Sequence, residues 1–250
     1  MQTMNMQEIG MTLTEFREFI SGKSIAVVGN SLDALDKEQG EQIDSADLTL
    51  RFGKGSTDPL IFDKIGTKTD IWVTGVLRSD RRKFLPEETI TLWNNSMDSP
   101  RKCIHPILDM YSKAEIKELE VEFSAPEGKR LSAGAIASLF LVRKADTWSR
   151  LDFFNFDFFT KHTNIYNHLA DSNSLTSSWH LPLLKKEYVD PAGDINKGCP
   201  AHDTDTEIRV FTEVLEKHKC YWHGANLVNT PEYLDNPTVQ WSSGREAPRY

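Results

Sequence analysis

One run of residues constrains the fold of this chain more than any other. Residues 24–29 read SIAVVG, apolar and mostly β-branched, and Asn30-Ser31 follow directly. A short continuous apolar run bounded by turn residues is the pattern of a strand buried on both faces. Strands of that kind belong to parallel sheets covered by helices. Parallel pairing needs crossovers, so helices must alternate with further strands. The chain supplies both. Strand patterns recur at 47–52 (DLTLRF), 70–75 (DIWVTG), 89–93 (TITLW) and 151–156 (LDFFNF). Thr12-Leu-Thr-Glu15 is a capping box that opens a short amphipathic helix running to about Ile20, with Gly22 beyond it. Residues 109–122 read as a charged surface helix. Residues 132–145 read as a buried helix, apolar on nearly every face at first. In 204–217, Ile208, Phe211, Val214 and Leu215 fall on one stripe. The pattern predicts an α/β fold, Rossmann-like, with a mostly parallel sheet flanked by helices. Residues 1–250 are expected to form one domain.

Two segments depart from this rhythm. Residues 158–198 are polar, rich in Asn, Ser and His, and weakly periodic. A stretch that long inside a domain reads as a lid or acceptor loop. Residues 229–250 carry Pro, Asn and Ser and read as a loosely ordered tail.

Composition narrows the partners. The formal charge of -8 over 250 residues argues against a broad footprint for nucleic acid or an anionic membrane. It leaves room for a local basic pocket that holds a phosphate. Three cysteines, Cys103, Cys199 and Cys220, with no CxxC pair, argue against a disulfide framework and for a reducing compartment. No apolar run is long enough for a signal peptide or a spanning helix, so the expectation is a cytoplasmic chain with no membrane span.

The chemistry begins where the first strand ends. In an open α/β sheet, ligands bind at the carboxyl ends of the strands. Gly29 lets a ligand approach the backbone, the Asn30 amide offers a donor and an acceptor, and the Ser31 hydroxyl can reach a phosphate. The plain alternative is an ordinary strand-to-helix turn, where Asn and Ser are common. A second place of interest is Ser132-Ala133-Gly134, opening the apolar helix with Arg130 just ahead. A helix N-terminus carries free N–H groups and partial positive charge, which suit an anion. Plain N-capping by Ser132 explains the same residues. A third is His202-Asp-Thr-Asp-Thr-Glu207, entering the last helix. A histidine near its ordinary pKa of about 6.5 is largely neutral at pH 7 and can accept a proton. An ordinary loop histidine is the alternative. Cys199, His202, Asp203 and Asp205 match no zinc ligand spacing, and DTDTE lacks the glycine of a calcium loop, so no metal site is expected.

Taken together, these segments resemble the sialyltransferases of glycosyltransferase family 29. Gly29-Asn30-Ser31 is followed by Gly40-Glu-Gln-Ile43-Asp44, by a strand containing Arg51, and by Asp63-Lys-Ile-Gly66-Thr67-Lys68-Thr69. These are the sub-motifs of the family's long motif, in order. The 132–134 segment with the strand ending FFNFD resembles its short motif. His202 and Glu207 resemble its very short motif. The resemblance covers about 25–207. It implies a Rossmann-like, GT-A-like variant fold and an inverting, metal-independent transfer of a sugar, sialic acid above all, from a CMP-activated donor to a glycan hydroxyl. His202 would be the general base. Asn30, Ser31, Ser132, Gly134 and Arg130 would hold the donor, and Glu207 would hold the helix start. His180 is carried as a further substrate contact, since neither His168-Leu-Ala-Asp171 nor Trp179-His180 matches the family's intervening His motif. No cofactor is implied beyond the CMP-sugar substrate.

The chain departs from the family pattern at several positions. Ala133 replaces a hydroxyl residue, Asn155 replaces a glycine, and Gly53 replaces an asparagine expected to touch the nucleotide. The family's cysteine pair corresponds to Ile25 and about Trp148, so that disulfide has no counterpart here. The Golgi members of the family carry an N-terminal membrane anchor that has no counterpart in this sequence, and with the other departures this is expected of a bacterial or viral relative. Two other readings remain. A methyltransferase or dehydrogenase would need a glycine-rich first turn and an acidic end to the second strand, where this chain has Gly29 alone and Arg51-Phe52. A non-catalytic carbohydrate- or nucleotide-binding protein of the same fold would accommodate Ala133 and Gly53.

Overall fold

The computed structural model describes residues 10–31, 34, 37–53, 62–75, 85–86, 88–96, 106–156, 202–217 and 219–223. Among them, seven strands form one sheet: β1 (Ser24–Val28), β2 (Leu48–Phe52), β3 (Ile71–Thr74), β4 (Ile90–Asn94), β5 (Ile107–Tyr111), β6 (Arg150–Phe154) and β7 (Cys220–Trp222). Their order is β5-β4-β3-β2-β1-β6-β7, and every pairing is parallel. The helices are α1 (Leu13–Ile20), α2 (Gly40–Asp44), α3 (Phe62–Ile65), α4 (Lys113–Glu122), α5 (Ala133–Arg143) and α6 (Thr204–Glu216). The expected α/β, Rossmann-like architecture is the observed one.

Side-chain alternation along the strands builds the core. Ile25 and Val27, Leu48 and Leu50, Ile71 and Val73, Leu151 and Phe153 all point to one face. There they are buried with Phe16 and Ile20 of α1 and with the apolar residues of α5 and α6. Each such side chain contributes roughly 1.5–3 kcal/mol by leaving water. Helix α5 is buried at eight successive positions from Ala135 to Val142, so it lies against the sheet as a central element. The α1 capping box forms as expected, with Thr12 and Glu15 bonded reciprocally. Ala26, Val28, Ile43 and Phe154 form a smaller cluster on the other face. Beside them, Asp152 accepts bonds from Arg150 (2.6 and 2.7 Å) and lies 2.6 Å from His223 Nε2. That contact ties the end of β7 to β6. Burial works against the ionised Asp152, yet the bonds from His223 and Arg150 outweigh it and hold the carboxyl below its ordinary value.

Several elements correct the reading of the sequence. The helix expected over 109–122 begins later, because Ile107, Leu108, Met110 and Tyr111 are buried in strand β5. Exposed Asp109 interrupts the apolar pattern and disguises that strand. Ser112 and Glu115 form a second capping box where α4 starts. Strand β7, three residues long, is an addition too short to show a period, and the short helices α2 and α3 are additions that no periodic pattern announced. The other strands and helices fall within one or two residues of their expected ends, the usual uncertainty of a terminus. No helix among the described residues is long and apolar enough to cross a membrane.

Candidate active site

The chain runs from β1 outward through β2 to β5, then returns to place β6 on the other side of β1. The order therefore reverses between β1 and β6. A crevice at the carboxyl ends of two such strands is where open α/β sheets bind ligands. Gly29-Asn30-Ser31 leaves β1 at this point, and Asn155-Phe156 leaves β6 beside it. The Gly29 N–H donates to the Phe154 carbonyl (2.7 Å) and the Ser31 N–H to the Asn155 carbonyl (3.0 Å). The two strand ends are so close that a Cβ on Gly29 would sit 2.3 Å from the Asn155 carbonyl oxygen. Only glycine fits there. Asn30 is half-buried, and its amide nitrogen donates to the Phe52 carbonyl at 3.4 Å. Ser31 is 5% exposed.

Phe156 joins this edge to the helices. Its ring packs against Phe52, Phe153, Phe211 and Trp222, with centroids 5.1–6.0 Å apart. A Cβ on Gly134 would come within 3.0 Å of the same ring. Gly134 therefore makes room for Phe156 at the start of α5. Ser132 caps that helix, its hydroxyl accepting from the Ala135 N–H (3.1 Å).

Glu207 reaches Ser132 from α6. The Ser132 backbone N–H donates to Glu207 Oε1 (2.8 Å), and the Ser132 hydroxyl contacts Oε2 (2.6 Å). Both residues are buried. Burial pushes the Glu207 carboxyl up to about 7, against the pull of the two Ser132 bonds and with a smaller push from Asp203. Asp203 caps α6 itself, accepting from the N–H and hydroxyl of Thr206 (3.0 and 2.8 Å).

His202 lies just ahead of that cap. Its Nδ1 is 2.9 Å from the Arg130 carbonyl oxygen. A carbonyl only accepts, so Nδ1 carries the proton and the neutral ring has its lone pair on Nε2. Burial lowers the His202 pKa below 6.5; the Arg130 carbonyl pulls the other way, and the charges of Arg130 and Lys129 add to the lowering. The imidazole is thereby held neutral with one nitrogen fixed, which is the state a proton acceptor needs. Arg130 is half-buried at the entry to α5.

The structure thus pairs Ser31 with Asn155, Gly134 with Phe156, Ser132 with Glu207 and His202 with Arg130. Asn30 reaches the Phe52 carbonyl, and the Phe52 ring packs on Phe156. His180 lies outside the described residues, as do His168, Trp179 and the 158–198 and 229–250 segments. The sequence reading did not count Asn155 and Phe156 as site residues. Their signal was available: two residues following a strand beside the GNS turn, one of them in place of a glycine. The rest of the long motif forms a brace that ties the end of α2 and strand β2 to the 65–68 turn. Asp44 accepts from the Thr67 N–H and hydroxyl and from the Lys68 N–H (2.8–3.1 Å). Lys68 Nζ donates to the carbonyls of Asp44 and Ala46. Buried Arg51 donates to the carbonyls of Lys68 (2.7 Å) and Ile65 (2.6 Å). Gly53 leaves open space: nothing lies within 4 Å of where its Cβ would be.

Fold and site define a class, an α/β protein with a topological switch point between β1 and β6 and a half-buried, neutral histidine just ahead of α6. Comparisons with known proteins then give the following. No family model matches the chain, and no curated protein does. Among solved structures it is similar to a mammalian sialyltransferase in complex with Gal-beta-1-3GalNAc-ortho-nitrophenol, at 20% identity over 83% of this chain and 71% of that one, with a TM-score of 0.48. It is similar also to a second structure of a mammalian sialyltransferase, at 20% identity over 82% of this chain and 70% of that one, with a TM-score of 0.47.

Proposed function

We propose that the chain is an inverting glycosyltransferase that moves a sugar, sialic acid above all, from a CMP-activated donor to a glycan hydroxyl. The observation that carries this reading is His202, fixed through Nδ1 to the Arg130 carbonyl (2.9 Å) and kept neutral by burial. In the transfer, the acceptor oxygen bonds to the anomeric carbon as the bond from that carbon to the phosphate oxygen breaks. CMP leaves with the electron pair, and the acceptor proton passes to His202 Nε2. Asn30 and Ser31 on one side and the start of α5 on the other bracket the donor. The positive end of the α5 helix dipole, with Arg130, favours the charge that gathers on the departing phosphate. Positioning matters here as much as the base.

The test is a donor screen that follows CMP release with and without simple galactosides. It is run on the wild-type chain and on His202→Ala. The variant is expected to fold and bind CMP while losing about 100- to 10,000-fold in transfer, the usual worth of a general base. Full transfer by the variant removes His202 from that role. Absence of cytidine nucleotide binding by the wild type removes the function.

A further inference from the structure

We propose that the side-chain amide of Asn155 recognises the nucleotide, donating a hydrogen bond to it at the switch point. This rests on the nucleotide-sugar reading above and adds a contact made by this chain's own departure from the pattern it resembles.

Three observations carry it. Asn155 holds φ at +60°, left-handed backbone that favours glycine and that asparagine tolerates better than most. The residue is 2% exposed, and its Nδ2 is shut off from solvent with no hydrogen-bond partner. Its place is the switch point itself, where its carbonyl receives the Ser31 N–H (3.0 Å) and crowds Gly29. A glycine would keep every one of those backbone contacts. It would also remove both the strained backbone and the buried unpaired donor, each of which costs stability. The side chain therefore does nothing for the junction of β1 and β6 that the backbone does not already do. A buried donor without an acceptor is the mark of a missing water, ion or ligand. A nucleotide supplies acceptors in plenty on base, ribose and phosphate. The last side-chain torsion, which is broad for asparagine, lets the amide turn to meet such an acceptor without moving the backbone. At a nitrogen shut off from water such a bond counts for more than it would at the surface.

Asn155→Gly separates ligand recognition from structure, because the two roles move opposite quantities. If the amide reads the nucleotide, the variant melts at the same or a higher temperature than the wild type and binds CMP about tenfold more weakly, a loss of roughly 1.4 kcal/mol. Asn155→Asp, which keeps the shape but replaces the donor with an acceptor, weakens CMP at least as much. Calorimetric titration with both CMP and cytidine locates the contact. An equal loss for both assigns it to the nucleoside, and a loss for CMP alone assigns it to the phosphate. Unchanged CMP affinity in Asn155→Gly, with or without a fall in melting temperature, overturns the proposal and leaves the transferase reading intact. Failure of the wild type to bind CMP overturns both.

Discussion

Replacing Glu207 with glutamine should make the protein more stable at pH 8 and leave it nearly unchanged at pH 5. Glu207 is buried, and its carboxyl is pushed up from an ordinary 4.5 to about 7. That gap corresponds to on the order of 3 kcal/mol, at about 1.36 kcal/mol per pH unit. The sign follows from which state holds the proton more tightly. The folded chain does, so this contribution is fully present below about pH 4.5. It is lost as pH rises, and is gone above about pH 7. Glutamine imitates the protonated acid. Its carbonyl can accept the Ser132 N–H, and its amide can donate to the Ser132 hydroxyl oxygen, which still accepts from Ala135. Urea unfolding of both proteins at pH 5, 6, 7 and 8 gives the comparison. The wild type should lose stability relative to Glu207→Gln across that range, by up to about 3 kcal/mol at the alkaline end. A wild type that instead gains on the variant as pH rises would mean that the two Ser132 bonds outweigh burial and Glu207 is ionised in the fold. The reasoning would then be wrong.

Two further outcomes follow from the same geometry. Arg130→Gln keeps the backbone carbonyl that fixes His202 but removes a charge that helps hold the imidazole neutral. The acid limb of the kcat/KM profile, which should lie below pH 6.5 in the wild type, is expected to move to higher pH; an unmoved limb separates His202 from the rate. Gly53 has φ +50°, which asparagine tolerates, and open space where its Cβ would stand, so Gly53→Asn should fold with a stability change within about 1 kcal/mol. On the transferase reading it should also bind CMP more tightly, which titration checks directly; unchanged affinity would detach position 53 from the nucleotide.

The parts of the molecule that were legible in the sequence are those set by local chemistry. The 24–29 run read as a buried parallel strand and Thr12 with Glu15 as a capping box, and both are observed. The strand β5 was not legible, because Asp109 faces water in the middle of it and a sheet edge does not require alternation to be complete. At the site, the residue types were legible and their partners were not. Spacing records where a side chain sits on its own helix, not which helix docks against it. Glu207 was read as holding the start of a helix, and it does, but that helix begins with Ser132, 75 residues upstream. His202 likewise finds Arg130, 72 residues away. These two contacts have a joint consequence. The entry to α6 grips the entry to α5 at two points two residues apart, once through the histidine and once through the glutamate. The nitrogen proposed to take the acceptor proton and the helix N-terminus proposed to hold the departing phosphate are therefore parts of one hydrogen-bonded corner. A substitution that loosens Ser132 from Glu207 should disturb donor binding and the base together, even though neither residue need touch the acceptor.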